Sequence, residues 1–284
     1  MMQFSAQEAA STATAAPSLT RPPAVAGRFY PGEPQILART VQKLLDTAPI
    51  ADLGGVRGLI VPHAGYVCSG PVAAASFNAL RALPKAEYTV YLLGPAHWQP
   101  VFGVGLANAD AFETPLGLLS VARNRVHELL RRGPPYRLAN AAHAPEHSLE
   151  VELPFLQVTL GNPRIVPMLF DADAEPQRIG ADLAEILVAD PLALIVVSSD
   201  LSHYLPYHEA YAVDRALLTA VTAGDIEQVQ SGQACGLIPI LVLMTIAKEF
   251  HWQPHLLAYA NSGDACGPRG EVVGYGAVAY TTGD

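Results

Sequence analysis

GLIVPHAGY, Gly58 to Tyr66, is a short apolar run that stops at a proline and delivers a histidine. Leu59, Ile60 and Val61 read as a strand covered on both faces, since the run is continuous rather than alternating. Pro62 biases Val61 away from helix and Gly65 permits a sharp turn, so His63 projects from a strand-to-loop corner. Outward from this stretch the event recurs. VYLLGPAHW (Val90 to Trp98) delivers His97, and LIVVSSDLSHY (Leu194 to Tyr204) delivers Asp200 and His203. Helical patterns separate the runs: Pro34 to Thr47, with Ile36, Leu37, Val41, Leu44 and Leu45 as its apolar stripe, then Ser69 to Leu83, a helix near Glu175 to Val188, and His208 to Val221. Strands alternating with helices predict an α/β fold, a mainly parallel or mixed central sheet with helices on both faces. Ligands gather at the carboxyl edge of such sheets, which is where the histidines fall.

The remaining segments fit the same plan. Val101 to Val121 alternates and is broken by glycines, which predicts an antiparallel hairpin holding ETPLG, Glu113 to Gly117. EHSLEVELPFLQVTL (Glu146 to Leu160) has helical periodicity with His147 at its entrance. RIVPMLF, HLLAYANSGD and EVVGYGAVAY read as strands, and a further helix enters at Ala234-Cys235-Gly236. Residues 1–20 contain no Lys or Arg and are rich in Ala, Ser and Thr, so they read as a disordered tail before one domain, 21–284.

Composition bounds the function. Half of the 284 residues are hydrophobic and 15% are charged, enough for a large core and against global disorder. A net charge of −9 with no basic cluster beyond Arg123, Arg125, Arg131 and Arg132 argues against nucleic acid as a partner. Leu237 to Ala247, the longest apolar stretch, contains Pro239 and is too short to span a bilayer, so no membrane role is expected. Three cysteines, Cys68, Cys235 and Cys266, form no disulfide framework. The odd count favours a reducing cytoplasmic setting in which neither Cys68 nor Cys266 is bridged.

The histidine corners carry the chemistry. His63 and His97 repeat one arrangement on consecutive strands, which suits a shared metal ion. Cys235 is the natural third ligand: a thiolate at a helix start is stabilised by free N–H groups, which lowers its pKa. Cys68 and Cys266 also stand near glycine turns, and spacing alone does not rank the three. Two imidazoles and a thiolate suit iron, copper or zinc rather than magnesium or calcium. Asp200 and His203, three residues apart, suit general acid/base work with the carboxylate orienting the ring. His147 is a further catalytic candidate, while His127, His208, His251 and His255 read as structural. The chain lacks GxxxxGK[ST] and GxSxG, so neither a phosphate loop nor a serine-hydrolase elbow is present.

On RPPAVAGRFYP, LIVPHAGYVCSGPVAA, LGPAHW, TPLG, EHSLEVELPFLQ, VVSSDLSHY, ACG, NSGD and VVGYGA, the chain strongly resembles the Memo family, which includes the AmmeMemoRadiSam system protein B group. The resemblance covers Arg21 to Ala277. It implies a fold related to class III extradiol dioxygenases and a metal held by His63, His97 and Cys235, with Asp200, His203 and His147 in the pocket. Trp98 stands where some relatives carry a second histidine. The resemblance also implies radical-SAM and AMMECR-type companions. The reading that results is a redox protein dependent on an iron or copper ion (zinc also fits), acting on a small-molecule or peptide ligand. Two other classes compete with it: a binding module that uses the cleft for a peptide or protein, and a metal-dependent hydrolase.

Overall fold

The computed structural model describes residues 19–283. Its strands are β1 (Thr20–Arg21), β2 (Val56–Val61), β3 (Thr89–Pro95), β4 (Val104–Leu106), β5 (Ala111–Thr114), β6 (Gly117–Ser120), β7 (Tyr136–Leu138), β8 (Arg164–Phe170), β9 (Ala193–Ser198), β10 (His203–Leu205), β11 (Gln253–Asn261) and β12 (Val272–Thr281). Its helices are α1 (Pro34–Thr47), α2 (Gly70–Asn78), α3 (Arg123–Arg131), α4 (Asn140–His143), α5 (Leu153–Leu160), α6 (Pro176–Val188), α7 (Tyr207–Ala223), α8 (Ile226–Gln230), α9 (Leu237–Glu249) and α10 (Ser262–Ala265), with a 3-10 turn at Glu150–Glu152.

The large sheet runs β10-β12-β2-β9-β3-β8-β4-β7, and β11 pairs with β12. Its centre, β2-β9-β3-β8, is parallel, as the uninterrupted apolar runs require. The outer pairings of β12 with β2 and of β4 with β8 are antiparallel. Helices cover both faces, and β12 displays this residue by residue. Tyr275 and Ala277 pack with Val72 and Ala75 of α2. Gly276, pointing the other way, has Leu218 of α7 where a Cβ would reach within 2.9 Å. The buried Leu237–Glu249 segment is α9, packed on β9, β3 and α6. Among the described residues, no helix is long and apolar enough to cross a membrane.

Local signals explain the element limits. Pro34 opens α1, the Glu33 side chain accepts from the N–H groups of Gln35 and Ile36, and Leu37, Val41 and Leu45 are buried. The helix expected to reach Leu83 stops at Asn78, whose side-chain amide donates to the Leu45 carbonyl at 2.8 Å. The expected 101–121 hairpin divides: β4 joins the large sheet, while β5 and β6 form the hairpin with Gly117 at φ 118°. Residues 1–18 of the expected tail lie outside the described residues. Thr20 opens β1, which pairs with β5.

Two long-range links tie distant segments together. Glu150, fully buried, accepts from Arg21, from the Ala24 N–H at 2.7 Å, the Val25 N–H at 2.9 Å and the Tyr30 hydroxyl at 2.6 Å. Cys68 and Cys266 form a disulfide across 198 residues, with Cys235 the free cysteine. This overturns the expectation that neither is bridged. The packing of α2 against β11 and β12 brings the start of α2 beside the turn between those strands, a proximity that sequence distance conceals. The argument for a reducing compartment from an odd count goes with it.

Glu150→Gln should leave the buried Arg21 charge without a counter-charge and cost about 3–5 kcal/mol of stability, read as a lower urea midpoint. An unchanged midpoint would show that the pair holds nothing in place. Intact mass after thiol blocking should show one blocked thiol, Cys235, with the second and third appearing only once the protein is reduced.

Candidate functional site

His63 lies two residues beyond β2, His97 two beyond β3 and Asp200 two beyond β9. The three strands are parallel neighbours in the order β2-β9-β3, so these residues share one sheet edge. The two histidine strands are not adjacent, as their sequence order suggested. β9 lies between them and sets Asp200 in the middle.

Asp200 acts as a strut. Its carboxylate accepts the His63 N–H at 2.8 Å, its own N–H donates to Cys235 Sγ at 3.2 Å, and its carbonyl accepts the Cys235 N–H at 3.2 Å. Burial pushes its carboxyl up to about 6 against the opposing His63 N–H. It makes no hydrogen bond to His203, contrary to expectation. The His203 ring is placed instead by the Leu201 carbonyl, 2.9 Å from Nδ1. The Asp200 carboxylate is instead turned to the backbone N–H groups of His63 and Ala64, and its own backbone meets Cys235.

The donor atoms of His63, His97 and Cys235 all lie within 4.8 Å of one another. His63 is buried, with Nδ1 2.7 Å from Ser198 Oγ and Nε2 3.2 Å from Cys235 Sγ. Burial, then the neighbouring His97 and His147, hold its imidazole neutral, well below the usual histidine range. Cys235 does not have the lowered pKa expected of a helix start. Helix α9 begins at Leu237 with Gly236 as its cap, leaving the thiol ahead of the first turn. Burial and the Asp200 carboxylate push it up to about 12.

Glu146 was missed in the sequence, although it stands first in EHS. Its Oε1 is 2.8 Å from His97 Nδ1 and accepts the N–H groups of His147 and Ser148, both at 2.9 Å, while Oε2 accepts the His97 N–H at 2.6 Å. Burial would raise its pKa, but the contacts with His147, His97 and Ser148 outweigh it and hold the carboxyl far below the usual range. His147 stacks on His97 at 4.5 Å between centroids and meets His63 and Phe29 edge-on. Its Nδ1 is buried and lies 3.2 Å from Glu146 Oε1 without hydrogen-bond alignment. His127, His208, His251 and His255 take no part in the cluster.

Asp214 on α7 also escaped sequence reading, for want of a motif around it. It is fully buried, and it accepts the Ser202 N–H at 2.9 Å and the Tyr259 hydroxyl at 2.9 Å, securing the loop immediately before His203. It fits only because residue 274 is glycine: a Cβ there would stand 1.9 Å from Asp214 Oδ2. Tyr204, next to His203, is exposed and left-handed at φ 59°, a backbone conformation uncommon outside glycine.

The family model described as Memo-like protein matches residues 21–279. A MEMO1 family protein of Ignicoccus hospitalis is 36% identical, with 92% of this chain and 99% of that protein aligned. One from Methanopyrus kandleri is 34% identical over 93% and 100%, and one from Nitrosopumilus maritimus 33% over 92% and 100%. An uncharacterized protein of Escherichia coli K12 shares the fold, with a TM-score of 0.53 at 15% identity over 78% of this chain and 99% of the other.

Gly274→Ala should drive Asp214 from its site and cost about 1–3 kcal/mol, as overfilling a packed interior does. Urea unfolding measures this, and a neutral result would mean that the Asp214 site is loosely packed.

Proposed function

Because this chain belongs to the Memo family, we propose that it is a metal-binding redox protein whose His63, His97 and Cys235 hold one iron or copper ion in a dioxygenase-like pocket. The observation that carries this reading is that the donors converge with their other ring nitrogens already engaged. His63 Nδ1 is bonded to Ser198 and His97 Nδ1 to Glu146, which leaves Nε2 of each ring, with Cys235 Sγ, for an ion. Histidine ligands anchored through the second nitrogen, one of them by a carboxylate, are the usual support of a metal site. The donor set fits a borderline or soft transition metal, with zinc as a further occupant. When bound, the ion supplies Lewis-acid and one-electron chemistry.

The chain's own groups do the rest. Asp200 fixes the His63 backbone and the Cys235 loop relative to each other, and Glu146 orients His97. His203, with Nδ1 engaged by Leu201, has Nε2 free to take or give a proton at the pocket. His147 offers a second imidazole beside His97, suited to hydrogen-bonding a bound ligand. On this reading Asp200 serves the ligand set rather than the His203 ring.

His63→Ala and Cys235→Ser should lose bound iron in elemental analysis after anaerobic reconstitution. His203→Ala should keep it while oxygen uptake with phenolic substrates falls by roughly 10²–10⁴-fold. If His203→Ala loses the ion as completely as His63→Ala, His203 is a ligand and the division of roles is wrong.

A further inference from the structure

Behind His63 and its partner Ser198 lies a buried carboxyl group, that of Glu152, which the proposed chemistry leaves unused. Ser198 Oγ has three polar neighbours: His63 Nδ1 at 2.7 Å, the Ser148 carbonyl at 2.5 Å and Glu152 Oε1 at 3.0 Å. Ser148, Glu152, Ser198 and His63 are each 2% exposed or less, so these bonds lie away from bulk solvent.

A hydroxyl has one hydrogen to give and lone pairs to receive. The Ser148 carbonyl can only accept, and at 2.5 Å it takes the Ser198 hydrogen. Ser198 Oγ is then purely an acceptor toward its other two neighbours, and each of them has to donate. For His63 this places the ring proton on Nδ1 and leaves the Nε2 lone pair facing Cys235 Sγ, 3.2 Å away. For Glu152 it requires an O–H, since an ionised carboxylate would meet only the hydroxyl's lone pairs. The surroundings agree. Burial pushes the Glu152 carboxyl well above its usual range, and the nearby Asp200 carboxylate adds to it.

We infer that Glu152 is a buried, protonated carboxylic acid that donates to Ser198 and so holds His63 as its Nδ1–H tautomer, making Glu152 a positioning residue for the ligand set. The proton assignment stands on the hydrogen-bond geometry alone, and the effect on ligation rests on the metal-site reading above.

The two parts separate experimentally. In the metal-free full-length protein at neutral pH, infrared difference spectra should show a protonated-carboxyl stretch that is absent from Glu152→Gln. Nitrogen NMR should find His63 protonated at Nδ1. Persistence of the band in Glu152→Gln, or an Nε2–H tautomer in the wild type, would overturn the proposal. In titrations with ferrous iron, Glu152→Gln keeps an N–H donor in place of the O–H and should bind like the wild type. Glu152→Leu and Ser198→Ala should bind roughly 10–100-fold more weakly, as loss of support behind a ligand does. Equal weakening by Gln and Leu would also overturn the proposal, because donation would then not be the property that matters. Should His63→Ala bind iron like the wild type, the metal-site reading fails, while the infrared and NMR results still decide the proton assignment.

Discussion

Three glutamates within seven residues, Glu146, Glu150 and Glu152, point into the protein interior from one short turn. A carboxylate removed from water is costly by several kcal/mol unless it is paired, fully hydrogen-bonded or neutralised. Each of the three meets this demand differently. Glu150 draws in Arg21, two backbone N–H groups and Tyr30, which fastens the segment before α1 onto the domain. Glu146 collects the loop after β3 through both the backbone and the ring of His97. Glu152 reaches Ser198 at the end of β9. One turn thereby sets the positions of the N-terminal segment and of two strand ends, and the histidine cluster takes its shape from that turn.

The sheet adds a gradient. His63 is buried and His97 lies at the surface, with His147 between them in exposure. Ser198 backs the buried His63 ring through Nδ1, and Glu146 backs the more exposed His97 ring through its Nδ1.

Much of this was legible in the sequence, because apolar runs and capping residues act locally. Pro34–Thr47 forms the helix its apolar stripe describes, and β8 is RIVPMLF as read. The histidine corners were visible because proline and glycine punctuate strand ends. What could not be read depends on pairings across the fold. The Cys68–Cys266 bridge spans 198 residues, and no local signal marks it. Cys235 stands ahead of the helix, not within its first turn, and its burial beside the Asp200 carboxylate, which no local pattern displays, raises the thiol where a lowering was expected. Asp200 and His203 are near in sequence, yet the aspartate turns to His63, because β2 runs alongside β9.

The contact between Asp214 and Gly274 also bears on how such a protein changes over time. The two positions lie on different elements, and the space needed by a methyl group at one is filled by the carboxylate of the other. Neither position drifts independently of its partner. A side chain becomes acceptable at 274 only after residue 214 has been shortened, and that first step frees the Ser202 N–H beside His203. The permitted route to variation here has a fixed order, and it passes through a form with a loosened pocket wall.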